Sequence, residues 1–175
     1  MSMMKRRSTP ESLRPAEGEA PPAGLSPDGV RGRALAMLTR REHSRVELER
    51  KLGDLGVQAP LVTAVLDELA ERKLQSDERF AEVFVRSRAQ KGHGPRSIGA
   101  ELRSRGLDAE QVAAALAASG YDWSERAAEV RQDRFGRVLP ADPREKARQL
   151  RFLQYRGFSG ADCARALRCE VQEED

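Results

Sequence analysis

Residues 101–116 read ELRSRGLDAEQVAAAL, and the same spacing returns as KLGDLGVQAPLVTAVL at 51–66 and FLQYRGFSGADCARAL at 152–167. Each segment has a glycine at its sixth position, a leucine four residues earlier and an apolar residue directly afterwards. Further apolar or small buried-type residues stand six and ten positions after each glycine. A fixed period of about 50 residues indicates one supersecondary unit that is used three times and stacked on its neighbours.

The residues between these segments predict helices. Apolar residues recur at intervals of three and four, and strand-like alternation is absent. Ser44 and Glu47 have capping-box spacing, Pro95 suits the first turn of a helix, and Gly56 suits the left-handed position that follows one. The sequence therefore predicts an all-α protein built from three tandem three-helix-bundle repeats, with nine helices in total.

Composition and helix signals together predict the boundaries. Residues 1–27 are rich in proline and polar residues, and we predict that they are disordered because they cannot bury enough apolar surface. The three repeats are placed at 28–74, 75–120 and 121–169, and an acidic tail follows at 170–175. The apolar stripes predict a core that includes Leu48, Leu52, Leu55, Phe80, Val83, Phe84, Leu150 and Leu153.

Several functional classes find no support in the sequence. Cys163 and Cys169 lack the spacing of a metal or redox motif, and Cys163 falls on a core position of the repeat. His43 and His93 lie in different repeats at helix boundaries, and no nucleophile, phosphate-loop or paired-carboxylate motif is present. We therefore expect no enzyme activity, no metal, no cofactor and no small-molecule substrate. Without an apolar run of spanning length or a secretory signal, we expect a cytoplasmic protein with no membrane partner.

The basic residues suggest a binding surface instead. The net charge is +3, and of the 31 lysine and arginine residues only five are lysine. Arginine presents a planar fork that suits phosphate and carboxylate. Because Ile98 and Leu102 should face inward, Arg96 and Arg103 should lie outward with only Gly99 and Ala100 between them. The candidate partner- or DNA-binding residues are Arg86, Arg88, Arg96, Arg103, Arg144, Arg148, Arg151 and Tyr155.

Two other interpretations of the basic residues stay open. A high arginine content also arises from a GC-rich genome. The stripe on the third repeat could be an ordinary solvated face with Tyr155 partly in the core. A helix-turn-helix mode of DNA reading is disfavoured, because the third helix of the second repeat has two acids and no basic residue in its first turns.

The ordered motifs resemble the RecX family of bacterial recombination regulators. The similarity covers about residues 29–169 and is carried by REHSR at 41–45, by Ser76-Asp77 with Arg79-Phe80, by Gly92-x-Gly94-Pro95-Arg96 and by Arg156-Gly157-Phe158. The resemblance implies an elongated, curved molecule that binds the RecA recombinase in the groove of its filament on DNA. It further implies suppression of ATP hydrolysis, strand exchange and co-protease activity, and hence roles in DNA repair, recombination and the SOS response.

A second function competes with this one. A non-specific DNA-binding helical-repeat protein could inhibit recombination by competing for single- or double-stranded DNA. Weak, phosphate-directed DNA binding is expected in both cases. A plain helical scaffold is a further alternative, and the one-sided arginine stripes argue against it.

Overall fold

A computed structural model describes residues 25–168, which contain nine α-helices and no strand. The first three helices are α1 (Pro27–Arg40), α2 (Arg45–Gly53) and α3 (Ala59–Glu71). The next three are α4 (Asp77–Gln90), α5 (Pro95–Ser104) and α6 (Ala109–Ala118). The last three are α7 (Trp123–Phe135), α8 (Pro143–Tyr155) and α9 (Gly160–Ala166). The prediction of three tandem three-helix repeats is confirmed.

Side-chain caps define where most of these helices begin. Seven of the nine N-cap residues accept a hydrogen bond from a first-turn N–H, namely Ser26, Ser44, Ser76, Asp108, Asp122, Asp142 and Ser159. The predicted capping box at Ser44 forms only in one direction. Ser44 Oγ accepts from Glu47 N at 3.1 Å, whereas the Glu47 carboxylate pairs with Arg41 and Arg105.

The repeated glycines end the middle helix of each repeat in the same way. Gly56, Gly106 and Gly157 all have positive φ, between 78° and 92°. In each case the N–H of the following residue donates to the carbonyl of the leucine five positions earlier, over 3.1–3.3 Å. The glycine N–H donates to the residue three positions before it. These two bonds form a Schellman motif. The spacing that the three segments share therefore marks where each middle helix ends.

Each repeat has its own apolar core. The first is centred on Leu48, Leu52 and Leu66, the second on Phe80, Ile98 and Leu102, and the third on Leu153, Phe158 and Cys163. The prediction of burial is wrong for two residues, since the side chain of Val83 is 51% exposed and that of Leu55 is 46% exposed. Both lie at the edge of an apolar stripe, where the position of the neighbouring helix decides burial.

The start of the first repeat can be compared with its predicted boundary at residue 28. Ser26 caps α1, which begins at Pro27, and Leu25 packs against the first core, so folded structure starts slightly before residue 28. The remainder of the predicted disordered segment, residues 1–24, lies outside the described residues. So does the predicted acidic tail at 170–175. Among the helices of residues 25–168, none is long and apolar enough to cross a membrane.

The middle helices meet end to end in the order α8, α5, α2. At the joint between α8 and α5, Gly94 N donates to Arg156 O at 2.8 Å and Arg96 N donates to Gly157 O at 3.0 Å. At the joint between α5 and α2, Ser44 Oγ donates to Arg105 O at 2.8 Å. The C-terminal carbonyls of one helix thus satisfy polar groups at the start of the next, and the helix dipoles join head to tail.

Candidate partner-binding face

Four exposed arginines follow the joined helices α8 and α5. Arg144 and Arg151 lie seven residues apart on α8, and Arg96 and Arg103 lie seven apart on α5. Each pair therefore spans about 10 Å along its helix. None of the four has an ion-pair partner among the described residues. They are charges that the fold leaves available to an external anion.

Tyr155 adds an aromatic ring at the end of α8. Its side chain is 90% exposed, which rules out the alternative in which it lies partly in the core. Tyr155 lies two residues before Gly157, whose carbonyl accepts a hydrogen bond from Arg96 N at the joint with α5. An exposed ring beside a run of arginines can stack on a base or pack against a protein surface.

The surface between Arg96 and Arg103 differs from the prediction that both Gly99 and Ala100 lie on it. Ala100 is exposed as expected, but Gly99 is buried against α6. A Cβ built on Gly99 would lie 3.2 Å from Val112 Cγ1. The glycine therefore serves close helix packing inside the second repeat, and only Ala100 contributes to a flat outer surface.

Arg88 and Arg148 have partners within the protein. Arg88 pairs with Glu101 and lies over the Phe84 ring, with its guanidinium carbon 5.5 Å from the ring centroid. Arg148 pairs with Glu145 at 3.2 Å, but its side chain is 61% exposed. An exposed pair contributes little and is easily exchanged, so Arg148 can still reach a partner. Arg88 is partly buried and mainly holds α4 against α5.

Arg86 lies apart from the other candidates. It is exposed on α4 and lines a groove with Glu82 and Tyr121, on the side of the second repeat formed by α4 and α6. Nothing in the described structure joins it to the arginines of α8 and α5.

The structure adds a basic groove that the sequence patterns did not indicate. It has a volume of about 260 Å³, and its lining includes Lys91, Arg126, Arg134 and Arg156, together with Phe152 and Asp133. Arg126 donates to the carbonyls of Ala89 and Gln90, and Arg156 donates to that of Lys91. These residues come from the end of α4 and from α7 and α8, so no periodicity along the chain could have grouped them.

Burial affects the titration of three side chains near the joints. Desolvation lowers the pKa of His43 and of His93, and neighbouring cations lower it further for both. Each imidazole is therefore kept neutral at physiological pH. Burial raises the pKa of the Cys163 thiol to about 11, which fits the prediction of an inert core residue.

Comparison with known proteins identifies the family. Models of the first, second and third three-helix domains of RecX match residues 31–69, 76–116 and 120–167. The chain belongs to the RecX family. It is 46% identical over 153 residues to the regulatory protein RecX of Halorhodospira halophila, covering 87% of this chain and 94% of the relative. It is 47% identical over 133 residues to that of Pseudomonas savastanoi pv. phaseolicola, covering 76% and 86%.

Solved structures share the fold. The crystal structure of RecX from Lactobacillus salivarius matches with a TM-score of 0.70 and 21% identity, covering 81% of this chain and 94% of that one. A second regulatory protein RecX matches with a TM-score of 0.64 and 20% identity, covering 77% and 71%. At these identities the similarity supports the arrangement of three three-helix domains in tandem.

Proposed function

We propose that this protein regulates a RecA-type recombinase, mainly as an inhibitor, by binding in the groove of the recombinase filament on DNA. Bound there, it would suppress ATP hydrolysis, strand exchange and co-protease activity. Its action is steric and needs no catalysis by the regulator. The proposal places it in the cytoplasm, in recombination, DNA repair and the SOS response.

The observation that carries this proposal is the set of four exposed, unpaired arginines on the joined helices α8 and α5. A filament groove is long and is lined by phosphate and by protein side chains. Arg144, Arg151, Arg96 and Arg103 supply charges over two helices that are fixed to each other by backbone hydrogen bonds. Because the two helices are already fixed to each other, binding does not have to order the backbone that carries these charges, which favours affinity. Tyr155 and Arg148 would extend the same contact.

The first experiment measures the DNA-dependent ATP hydrolysis of RecA on single-stranded DNA while this protein is titrated. Inhibition is expected at amounts far below those that cover the DNA, because one regulator in the groove affects many recombinase subunits. Inhibition only at coating amounts would instead support the second function, competition for DNA by a non-specific DNA-binding protein.

Charge reversal tests the assignment of the face. The double substitution Arg96→Glu, Arg103→Glu should weaken inhibition about tenfold or more, a loss of about 1.4 kcal/mol, because two attractive contacts become repulsive. The matched control is Arg33→Glu, Arg40→Glu, a pair of exposed arginines with the same seven-residue spacing on α1. Equal loss in both variants would reject the assignment to α5.

The salt dependence of binding distinguishes the two functions. A complex dominated by DNA phosphate loses affinity steeply as salt rises, in proportion to the number of phosphates contacted. Binding to free single-stranded DNA is therefore expected to be weak and to vanish at moderate salt, whereas binding to the assembled filament should persist. An identical salt dependence for both would favour simple competition for DNA.

A further inference from the structure

An apolar groove lies between α8 and α9, on the outside of the third repeat. It has a volume of about 490 Å³. Its apolar lining includes Ala147, Leu150, Ala164 and Leu167. Lys146 and Arg168 stand at its edge, and neither has an ion-pair partner among residues 25–168.

One position of the repeat differs beside this groove. Gly99 stands seven residues before Gly106, and its missing side chain lets α6 approach α5 so closely that a Cβ would lie 3.2 Å from Val112 Cγ1. In the third repeat the position seven residues before Gly157 is Leu150, which is only half buried. A leucine there occupies the space that the second repeat uses for close helix packing, and it exposes apolar surface beside α9.

We propose that residues 169–175 of this same chain dock into the groove between α8 and α9. The described chain ends at Arg168, two residues after α9, and Arg168 itself lines the groove, so the following residues start beside it. They read CEVQEED and carry four carboxylates with no basic residue. Val171 supplies an apolar side chain for the floor, and the carboxylates face Lys146 and Arg168.

Because residues 169–175 are attached to the chain beside the groove, weak contacts are sufficient to hold them there. A segment attached directly at the groove has an effective concentration in the millimolar range or above, so modest apolar and ionic contacts can hold it. The basic segment of residues 5–7 carries three positive charges and would be repelled by the same edge. Charge complementarity therefore favours the acidic residues as the occupant. Because α8 also carries Arg144 and Arg151, the docked carboxylates would lie on the helix that carries part of the candidate face.

Spin labelling tests the docking directly. In a Cys169→Ser, Gln172→Cys variant the new thiol can be labelled selectively, because Cys163 is fully buried. The electron paramagnetic resonance spectrum at low protein concentration should contain a slow-motion component from the label. Adding Ala164→Glu, which places a negative charge on the groove wall, should remove most of that component.

The control is Ala161→Glu, which makes the same change at an exposed position of α9 that does not line the groove. It should leave the slow component unchanged. Fast motion in the parent variant, or equal loss with both glutamates, would overturn the proposal. A slow component that grows with protein concentration would overturn docking within one chain and indicate exchange between two copies. The result does not depend on any effect on the recombinase.

Discussion

The two joints between repeats are built from different groups. Where α5 meets α2, side chains make the contacts: the Ser44 hydroxyl donates to Arg105 O, and Glu47 pairs with Arg105 at 3.2 Å. Where α8 meets α5, the backbone makes them, through Gly94 N and Arg96 N. A Cβ on Gly94 would lie 2.5 Å from the Gly157 carbonyl carbon. An atom added to Gly106 at the first joint would meet the Val46 side chain, whereas an atom added to Gly94 at the second joint would meet backbone, which has less freedom to move aside.

The repeat glycines differ in whether they also contact a neighbouring repeat. All three repeat glycines adopt positive φ to end a helix, but only Gly106 and Gly157 also receive a neighbouring repeat. Gly106 lies against Val46, and a Cβ on Gly157 would lie 2.5 Å from Ser97 N. A Cβ built on Gly56 would meet no other part of the protein within 4 Å, since its repeat stands at the end of the row.

The largest effect is expected from Gly157→Ala. The left-handed backbone costs a non-glycine residue about 1–2 kcal/mol, and overlap with Ser97 adds about 1–3 kcal/mol. The free energy of unfolding in urea should fall by about 3 kcal/mol. The fluorescence of Trp123, which packs between the second and third cores, should report early loss of this joint.

Gly56→Ala is the matched control for that substitution. It has the same type of backbone conformation but open space around it, so only the conformational cost of about 1–2 kcal/mol should remain. Equal destabilisation by both alanines would show that contact across the α8–α5 joint contributes nothing to stability.

A smaller effect is expected from Ser44→Ala at the first joint. The substitution removes both an N-cap bond to Glu47 N and the hydrogen bond to Arg105 O, which together contribute about 1–2 kcal/mol. Ser26→Ala removes a cap of the same type at an exposed helix start with no second repeat behind it. It should cost about 0.5–1 kcal/mol. If the two serines prove equivalent in urea unfolding, the hydroxyl bond across the joint is unimportant.

The smallest effect concerns pH. Each joint has a histidine whose folded-state pKa is lowered by burial, so the unfolded chain binds protons more readily than the folded one below about pH 6.5. The contribution of these histidines to stability should be complete well above that pH and should be lost as the pH falls through about 6.5. His43 is only 5% exposed, so His43→Gln should flatten this dependence more than His93→Gln. An unchanged slope of unfolding free energy against pH in both variants would contradict this account.

Much of the fold follows from local patterns. The Schellman glycines, the serine and aspartate caps and the three-four spacing of apolar residues depend on bonds within a few residues of one another, so the sequence displays them directly. The exposure of Arg96, Arg103, Arg144 and Arg151 followed from the same periodicity. Val83 and Leu55 were misplaced because their burial depends on another helix, which periodicity alone does not locate.

The candidate face shows the same division. Arg88 matched the basic pattern as well as Arg86, yet it pairs with Glu101, thirteen residues away on a neighbouring helix. The groove of Lys91, Arg126, Arg134 and Arg156 forms only when three helices meet. Ion pairs and grooves of this kind depend on distances in space, which charge patterning along one helix does not encode.

The sequence by itself determined the helices, their ends, the threefold repeat and the outward side of each basic stripe. Each of these depends on hydrogen bonds and side-chain periodicity within one or two helical turns. Only the tertiary structure decided the order α8, α5, α2, the contact of Gly106 and Gly157 with a neighbouring repeat, and which arginines remain unpaired. These features depend on contacts between groups that lie tens of residues apart, such as Ser44 with Arg105 and Gly94 with Arg156, and such contacts exist only once the repeats pack.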